Sequence, residues 1–264
     1  MKLSKQFIIL FLTSCFVILS SCSNYAKVLK SDDTNLIYSE AMVQYEKGNY
    51  INALQLFDRI SVLVKGTDKE EPLNYYYAQS HYLQGDYILA NYYFRKYVKQ
   101  YPLNPKAEEC AFLAAMCKYN QSSTYSLDPT PTTDAIAELQ AYINAYPNSE
   151  NLDLCNIYID ELRAKLEEKD YKIALMYLRM EEYKAAVVCF DNILKDFPGT
   201  QHKEDIFYYL VKAKYEYAKN SVDSKKKERF DDVFNSYTKF ITNYPESKYI
   251  AEVNVYYNAA KQYK

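Results

Sequence analysis

Residues whose chemistry could support catalysis are few and scattered in this 264-residue chain, which contains only 2 His. His81 lies in the middle of a predicted helix, which favours a packed side chain, and His202 lies where another predicted helix begins. The acidic pairs Glu70-Glu71 and Glu108-Glu109 lie near helix ends, where they interact with the helix dipole or with solvent. No nucleophile is spaced with a general base, so we predict that the chain is not an enzyme and has no catalytic residues.

The cysteines also lack the spacing of a metal site, so neither a metal nor another cofactor is predicted. Cys110 and Cys117 lie on one predicted helix with their Cα atoms about 10 Å apart, beyond the reach of a disulfide. Cys155 and Cys189 fall at apolar helix positions, which is typical of small buried hydrophobic side chains. A bridge between Cys155 and Cys189 also fits the sequence if the compartment is oxidising.

Cys22 is predicted to undergo covalent modification, because it follows a targeting segment. Two lysines near the N-terminus precede an apolar run, Phe7 to Leu19, that is too short to span a membrane comfortably. The run ends in Leu19-Ser20-Ser21-Cys22, which resembles a bacterial lipoprotein box. We therefore predict that residues 1–21 form a cleaved signal peptide and that Cys22 carries acyl groups. The competing interpretation is an ordinary secretory signal in which Cys22 is incidental.

The segment after Cys22 indicates where the anchor resides. Residues 22–33 are polar and lack periodic apolar residues, which predicts a lipidated tether. As the resemblance to lipoproteins implies, Asp after the lipidated cysteine would favour the inner membrane, and Ser23 occupies that position. Residues 23–27 also lack the acidic cluster of lipoproteins that are exported to the cell surface. We therefore expect a lipid anchor in the outer membrane, with the protein facing the periplasm.

The composition is rich in tyrosine, with 31 Tyr and no Trp. Tyr at this density suits helix packing with exposed phenol tips, and it also suits a groove that binds peptides. The formal net charge is −2, and about −4 once Lys2 and Lys5 leave with the signal peptide, which argues against a nucleic-acid partner. The chain has only 4 Gly, too few and too scattered for a Gly-rich phosphate loop.

One sequence unit recurs along the chain and is clearest at residues 85–102. The turn pair Gly85-Asp86 is followed by Ala90, by Phe94 one helical turn later, and by Pro102, which ends the helix. Ala90 and Phe94 share a helix face, where the small residue admits a neighbouring helix and the large one fills the space beside it. Further copies contain Ala53 and Phe57, Ala135 and Leu139, Ala186 and Phe190, and Phe230 and Val233.

These spacings resemble the second half of a tetratricopeptide repeat. We therefore predict an all-α fold, a tetratricopeptide-repeat solenoid of about five helix pairs with a C-terminal capping helix. The first three repeats are expected over residues 34–147. A long helix, the last two repeats and the cap are expected over residues 148–264.

Local signals predict five further segments. Asn120–Thr133 is rich in Ser, Thr and Pro, which predicts a loop inserted into the third repeat. Ser149–Met180 contains no helix breaker and predicts one long helix. Ser221–Lys227 predicts a charged loop ahead of a helix over Phe230–Asn243, and Ser247–Tyr263 predicts the cap.

The first helices of the repeats carry a predicted peptide-binding groove, because such helices line the concave face of repeats of this type. Side chains at i, i+4 and i+7 share a helix face. On this pattern the groove residues are Tyr38, Met42 and Tyr45 from the first helix and Tyr75, Gln79 and Tyr82 from the third. This composition suits an extended peptide with aromatic and apolar side chains. The same tyrosines equally suit packing between helices.

Longer blocks of sequence resemble the BamD family, lipoprotein subunits of the machinery that inserts β-barrels into the outer membrane. The blocks are Ile37-Tyr38-Ser39-Glu40-Ala41, Tyr146-Pro147-Asn148-Ser149, and the runs over residues 160–166 and 194–200. The resemblance implies a scaffold whose N-terminal half meets unfolded barrel substrates. It also implies that the C-terminal half docks the barrel-forming subunit, which has periplasmic domains, and other assembly lipoproteins.

The sequence departs from the BamD pattern in two places. The insertion at Asn120–Thr133 differs in length from that of relatives, and Cys189, Phe190 and Asp191 lie where the family often has basic residues. No partner-binding residue is therefore carried over to these positions. The alternative function is a general tetratricopeptide-repeat adaptor lipoprotein of the cell envelope. A glycan-capturing lipoprotein fits less well, because sugar-binding platforms usually stack on Trp, which the chain lacks.

Overall fold

The computed structural model describes residues 25–263, which are mostly helical and contain no strand. The predictions for residues 1–21 and for Cys22 lie outside the described residues. The helices in chain order are α1 Thr34–Glu46, α2 Tyr50–Ile60, α3 Glu70–Gln84, α4 Tyr87–Gln100, α5 Ala107–Gln121, α6 Thr130–Ala145, α7 Leu152–Arg179, α8 Tyr183–Asp196, α9 Lys203–Lys219, α10 Asp223–Asn243 and α11 Ile250–Ala260. A 3₁₀ turn, Lys261–Tyr263, follows α11.

Consecutive helices pack in pairs, which is the tetratricopeptide arrangement. The helices α1 and α2, α3 and α4, α5 and α6, and α9 and α10 contact one another within each pair. Tyr171 and Ala174 of α7 share a buried cluster with Phe190 of α8. Within residues 25–263 there are thus five consecutive pairs followed by α11, and the predicted all-α fold of tetratricopeptide type is confirmed.

The turn inside a pair has a recurring backbone geometry. Gly48 and Gly85 have φ angles of 75° and 84°, and Glu181 has a φ of 62° in the turn between α7 and α8. Gly adopts this left-handed conformation readily, whereas it costs other residues roughly 1–2 kcal/mol. Asp86 then starts α4, because its carboxylate accepts a hydrogen bond from the Leu89 amide at 3.2 Å.

The repeated Ala and Phe positions lie at helix contacts, as predicted from their spacing. The fully buried members are Ala53, Phe57, Ala90, Phe94, Ala135, Leu139, Ala186 and Phe190. Beside Ala90, the side-chain amide of Asn91 donates a hydrogen bond to the Ala114 carbonyl of α5 at 2.8 Å. Small residues therefore bring α4 close enough to α5 for a side chain to reach the neighbouring backbone.

The chain divides into two compact units. The first contains residues up to Ser123 and Thr130–Ile159, and so includes α1 to α6 and the start of α7. Its hydrophobic core has two clusters, one centred on Phe57 between α1 and α2 and one centred on Phe94 between α3, α4 and α5. The first helices α1, α3 and α5 thus all contribute side chains to this core.

The second unit contains Thr124–Pro129 and Asp160–Lys264. The long helix predicted over Ser149–Met180 is present as α7, which has 28 residues. The division between the units falls within this helix, whereas the sequence placed a boundary at residues 147–148. Lys169 of α7 donates hydrogen bonds to the carbonyls of Tyr125 and Leu127 at 3.3 and 2.7 Å, so part of the inserted loop packs on this helix.

Two predicted loops are shorter than expected. The prediction of a charged loop at Ser221–Lys227 is wrong over most of that range, because α10 already begins at Asp223. Lys226 pairs with Asp223 and Lys225 with Glu228, each at 2.9 Å, so the charges that suggested a loop instead support the first turns of the helix. The insertion predicted at Asn120–Thr133 is reduced to residues 122–129, because α5 continues and α6 begins early.

The end of the predicted tether, residues 22–33, packs against the first helix pair. Residues 25–28 form a helical turn, and the Val28 side chain is buried in the cluster around Phe57. The Tyr25 hydroxyl donates to Gln55 Oε1 at 2.7 Å, and Arg59 donates to the Ser31 carbonyl at 2.6 Å. From residue 25 onward the chain is therefore held on α2.

Two further findings concern membrane-spanning helices and cysteines among the described residues. Among residues 25–263, no helix is both long and apolar enough to cross a bilayer. Cys110, Cys117, Cys155 and Cys189 are free thiols, so the possible bridge between Cys155 and Cys189 is not formed. Burial raises the pKa of Cys110 and of Cys117 to about 12, which keeps both thiols neutral at physiological pH.

Candidate functional site

A surface rich in tyrosine extends over the first helices of the first unit, and we call it the tyrosine face. Its members come from α1, α3 and the start of α5, and all of them except the exposed Glu109 are half-buried or buried. They are Tyr38, Met42, Tyr45, Tyr75, Tyr76, Gln79, Lys106 and Glu109. The face includes five of the six predicted groove residues.

Aromatic contacts connect the three helices across this face. The rings of Tyr45 and Tyr76 meet edge to face at 4.9 Å, and those of Tyr75 and Tyr76 at 5.2 Å. Lys106 Nζ lies 4.0 Å from the centre of the Tyr75 ring, within the range of a cation–π contact. A row of Tyr45, Tyr76, Tyr75 and Lys106 thus runs from α1 to the start of α5.

Hydrogen bonds hold Tyr75 in place within this row. Its hydroxyl donates to Glu109 Oε1 at 2.7 Å, and Gln79 Nε2 donates to the same hydroxyl at 3.0 Å. Burial, and then the hydrogen bond to Glu109, raise the pKa of Tyr75. The phenol is therefore neutral, and it offers an aromatic surface whose orientation is set before any ligand binds.

Three predicted groove residues, Tyr38, Met42 and Tyr82, lie outside this row. The Tyr38 ring has Lys69 Nζ 5.8 Å from its centre, and Tyr38 and Met42 both pack against the cluster around Phe57. Tyr82 lies apart, with its ring edge against Tyr87 and Phe94. The structure thus brings Tyr45, Tyr75 and Gln79 into one connected set and leaves Tyr82 on the core of the second pair.

Sequence spacing missed three members of the tyrosine face. Tyr76 directly follows Tyr75, and neighbours in a helix do not share a face, so an i, i+4, i+7 pattern omits it. Its large ring nevertheless reaches Tyr45 on α1. Lys106 and Glu109 belong to the next helix pair, and their proximity to Tyr75 depends on how the pairs pack. The density of tyrosine in Tyr75-Tyr76-Tyr77 was the available signal.

A second surface, which we call the cationic groove, lies in the second unit between α8, α9 and α10. It encloses a cavity of about 100 Å³, and the sequence did not predict it. Its lining residues are Lys184, Val187, Val188, Lys214, Tyr217, Arg229 and Asp232. Three cations therefore face a small cavity that one carboxylate also lines.

Neutral groups hold two of these cations. Lys214 Nζ donates to the Ser236 hydroxyl at 2.9 Å. The Arg229 guanidinium stacks 4.0 Å above the Tyr217 ring and donates to the Ser221 hydroxyl. Both side chains are half-buried, so their charge is incompletely balanced in a partly desolvated site. The groove is suited to an anionic group.

The two histidines have different surroundings. His81 is buried, its ring stacks on Tyr93, and neither of its ring nitrogens forms a hydrogen bond. His202 stacks on Tyr171 at 4.0 Å, with Nε2 3.0 Å from Glu168 Oε2. Among residues 25–263, no group of three or more His, Cys, Asp or Glu side chains could hold a metal ion.

Comparison with known proteins identifies related sequences. The family model described as "YfiO: Outer membrane lipoprotein" matches residues 30–230. An outer membrane protein assembly factor BamD from Caulobacter vibrioides is 24% identical over 205 residues, which cover 74% of this chain. That alignment spans 65% of the Caulobacter protein, slightly less than two-thirds of its length. The Vibrio cholerae protein of the same description is 21% identical, over 70% of this chain and 80% of its own.

A solved structure also shares similarity at low sequence identity. The TPR domain of P58(IPK) is 11% identical, with a TM-score of 0.41, over 90% of this chain and 67% of that domain.

Proposed function

The chain belongs to the BamD (YfiO) family of outer-membrane lipoproteins. On this premise, we propose that it is a non-catalytic scaffold of the machinery that assembles β-barrel proteins in the outer membrane. The observation that carries this proposal is the family match over residues 30–230. In this function the protein binds unfolded barrel substrates and docks the barrel-forming subunit together with other assembly lipoproteins. Unfolded substrates and the barrel-forming subunit each have a candidate surface.

The tyrosine face is the proposed site for unfolded barrel substrates. Strands of membrane barrels alternate apolar and polar residues and carry aromatic girdles, so an unfolded substrate presents aromatic side chains in an extended chain. Neutral phenols held by hydrogen bonds provide contact area at low cost in conformational entropy. Lys106 and Glu109 add a cation and an anion beside the Tyr75 ring, which can pair with the polar residues of such a chain.

A photocrosslinking experiment tests this assignment. A photoreactive amino acid replaces Tyr45 on the tyrosine face or, as a control, Tyr92, which is 59% exposed on α4 of the same unit. Unfolded barrel protein diluted from urea is expected to crosslink at position 45 and much less at position 92. Equal crosslinking at both positions would contradict a binding site on the tyrosine face.

The cationic groove is the proposed docking site for an acidic segment of the barrel-forming subunit. Half-buried cations held by Ser236 and Ser221 can pair with carboxylates of a partner at little cost in reorganisation. Val187 and Val188 add apolar contact area beside the charges, and Val188 is 52% exposed.

Charge reversal tests the docking site. Lys214→Glu should reduce co-purification of the barrel-forming subunit, because it places like charges against the acidic segment. Lys239→Glu, an exposed position on α10, provides a matched control and should leave co-purification unchanged. Normal co-purification of a folded Lys214→Glu variant would show that the partner docks elsewhere.

The anchor is the third part of the proposal. Acylation of Cys22 would hold the protein on the periplasmic face of the outer membrane, where both partners are encountered. Cys22→Ala should release the protein from the outer-membrane fraction into the soluble periplasm. Continued fractionation of Cys22→Ala with the outer membrane in cells lacking the barrel-forming subunit would contradict a lipid anchor.

A further inference from the structure

The beginning of the described chain is fixed to the first helix pair, which restricts where an acylated Cys22 could lie. Val28 is 5% exposed within the core around Phe57, and the Tyr25 hydroxyl is bonded to Gln55 of α2. The turn itself is closed by a hydrogen bond from the Leu29 amide to the Tyr25 carbonyl at 2.8 Å. Tyr25 is therefore part of the first unit.

Chain geometry then limits the distance between the anchor and this unit. Two residues separate Cys22 from Tyr25. Successive Cα atoms are 3.80 Å apart, so three steps span at most about 11 Å whatever the conformation. An acylated Cys22 has its lipid chains in the bilayer, and the surface around Tyr25 must then lie within that distance of the headgroups.

An exposed apolar side chain lies on α2, the helix that Tyr25 contacts through Gln55. Ile51 lies one helical turn before Gln55 on α2 and is 59% exposed. The turn that contains it, residues 48–52, shares a surface cavity with Gln84 of the next helix pair. Ile88 follows at the start of α4 and is 73% exposed. We call residues 48–52 and 84–88 the turn edge of the first unit.

We propose that the turn edge rests on the membrane surface, with Ile51 and Ile88 at the boundary between headgroups and acyl chains. This inference depends on the proposed acylation of Cys22. Large aliphatic side chains are stabilised at that depth, and the exposed lysines Lys27 and Lys30 beside Tyr25 can pair with lipid phosphates. The protein would thus be held on the bilayer by its first unit as well as by its acyl chains.

Cysteine reactivity on vesicles tests the proposal. Single cysteines are introduced as Ile51→Cys, Ile88→Cys and Leu103→Cys in full-length protein that carries Cys189→Ser. Leu103 is the matched control, because it is 97% exposed and lies beyond the other end of α4, about 20 Å from Ile88. Each acylated variant is bound to vesicles of phosphatidylethanolamine and phosphatidylglycerol, and its reaction with a water-soluble maleimide is compared with that of the same variant carrying Cys22→Ala in buffer.

The expected result is a several-fold slower reaction at positions 51 and 88 on vesicles, with no change at position 103. Equal rates on vesicles and in buffer at position 51 would overturn the membrane contact. Slow reaction of position 51 in the unacylated protein would also overturn it, because a protein contact would then cover the turn edge. A flotation assay separates this failure from that of the anchor, because a protein without acyl chains does not float with the vesicles.

Discussion

At the scale of single residues, size and burial at the helix contacts decide whether the repeats pack. Ala90 is fully buried between helices, and the neighbouring Asn91 reaches the backbone of α5. Close-packed interiors have few gaps, so a larger side chain at such a position must displace a neighbour. The alanine therefore sets how closely the second helix pair approaches the third.

Ala90→Leu should lower the free energy of unfolding by about 1–3 kcal/mol, because it overpacks this contact. Chemical denaturation monitored by circular dichroism measures the change. Ala137→Leu, at an exposed position of α6 in the same unit, is the control and should change stability little. An unchanged free energy of unfolding in Ala90→Leu would mean that the two helices can move apart without a loss of stability.

His81 should make the stability of the first unit depend on pH. Burial lowers the pKa of His81 below its ordinary value of 6.5, although Asp86 and Asp58 oppose the shift. The unfolded chain then binds more protons than the folded chain below about pH 6.5, so stability falls as the pH decreases through that value.

Thermal unfolding between pH 7 and 5 checks this expectation. His81→Phe retains a ring against Tyr93 and should reduce the loss of stability on acidification. Leu103→Ala, at a position of the same unit that is 97% exposed, serves as the control and should keep the pH dependence of the natural protein. An unchanged pH profile in His81→Phe would assign the acid sensitivity to other groups.

At the scale of elements, a left-handed residue in the turns of the first, second and fourth pairs determines how their two helices join. Gly85 has a φ of 84°, and Glu181 adopts a φ of 62° at the corresponding place between α7 and α8. The two positions differ in the residue type and share the backbone conformation. If the turn requires a positive φ, replacing Gly85 should destabilise the protein and introducing Gly at position 181 should stabilise it.

Gly85→Ala should destabilise the protein by about 1 kcal/mol, whereas Glu181→Gly should stabilise it by up to about 1 kcal/mol. Thermal unfolding of the two variants gives both changes. Gly199 has an ordinary φ and open space around it, so Gly199→Ala should not destabilise. A loss of stability in all three variants would show that the change of side chain, and not the φ angle, causes the destabilisation.

Much of the helical arrangement could be predicted from the sequence, because the buried face repeats locally. The spacing of Ala90 and Phe94 recurs at Ala186 and Phe190, and each pair marks a helix contact. The start of α10 could not be predicted in this way, because residues 223–229 carry no apolar period and the helix is supported there by ion pairs. Periodicity reports the buried face of a helix and is silent where a helix extends into solvent.

The candidate sites were harder to predict, because they depend on contacts between elements distant in the chain. Tyr75 and Gln79 could be predicted from their spacing. The contacts of Tyr75 with Lys106 and Glu109, in contrast, arise only when the second and third pairs pack. The cationic groove draws two or three residues from each of three helices, and none of them is marked by a local motif. The assignment of both surfaces to partners stays a prediction.

At the scale of the whole molecule, each compact unit offers one surface suited to a different class of partner. The first has aromatic side chains held by hydrogen bonds, and the second has cations held by hydroxyl groups. A scaffold that receives unfolded substrates and docks a folded subunit needs both kinds of surface. A general adaptor of the cell envelope does not act on membrane barrels, so it would need neither surface.

Depletion of the protein from growing cells tests the central claim most directly, with the abundance of many outer-membrane proteins measured over time. The account predicts that unrelated β-barrel proteins decline together, before lipoproteins of the same membrane do. Restoring the natural protein should return the barrels to their former level, whereas a variant with Tyr45, Tyr75 and Tyr76 changed to Ser should do so poorly. Normal barrel levels after complete depletion would contradict the assembly function.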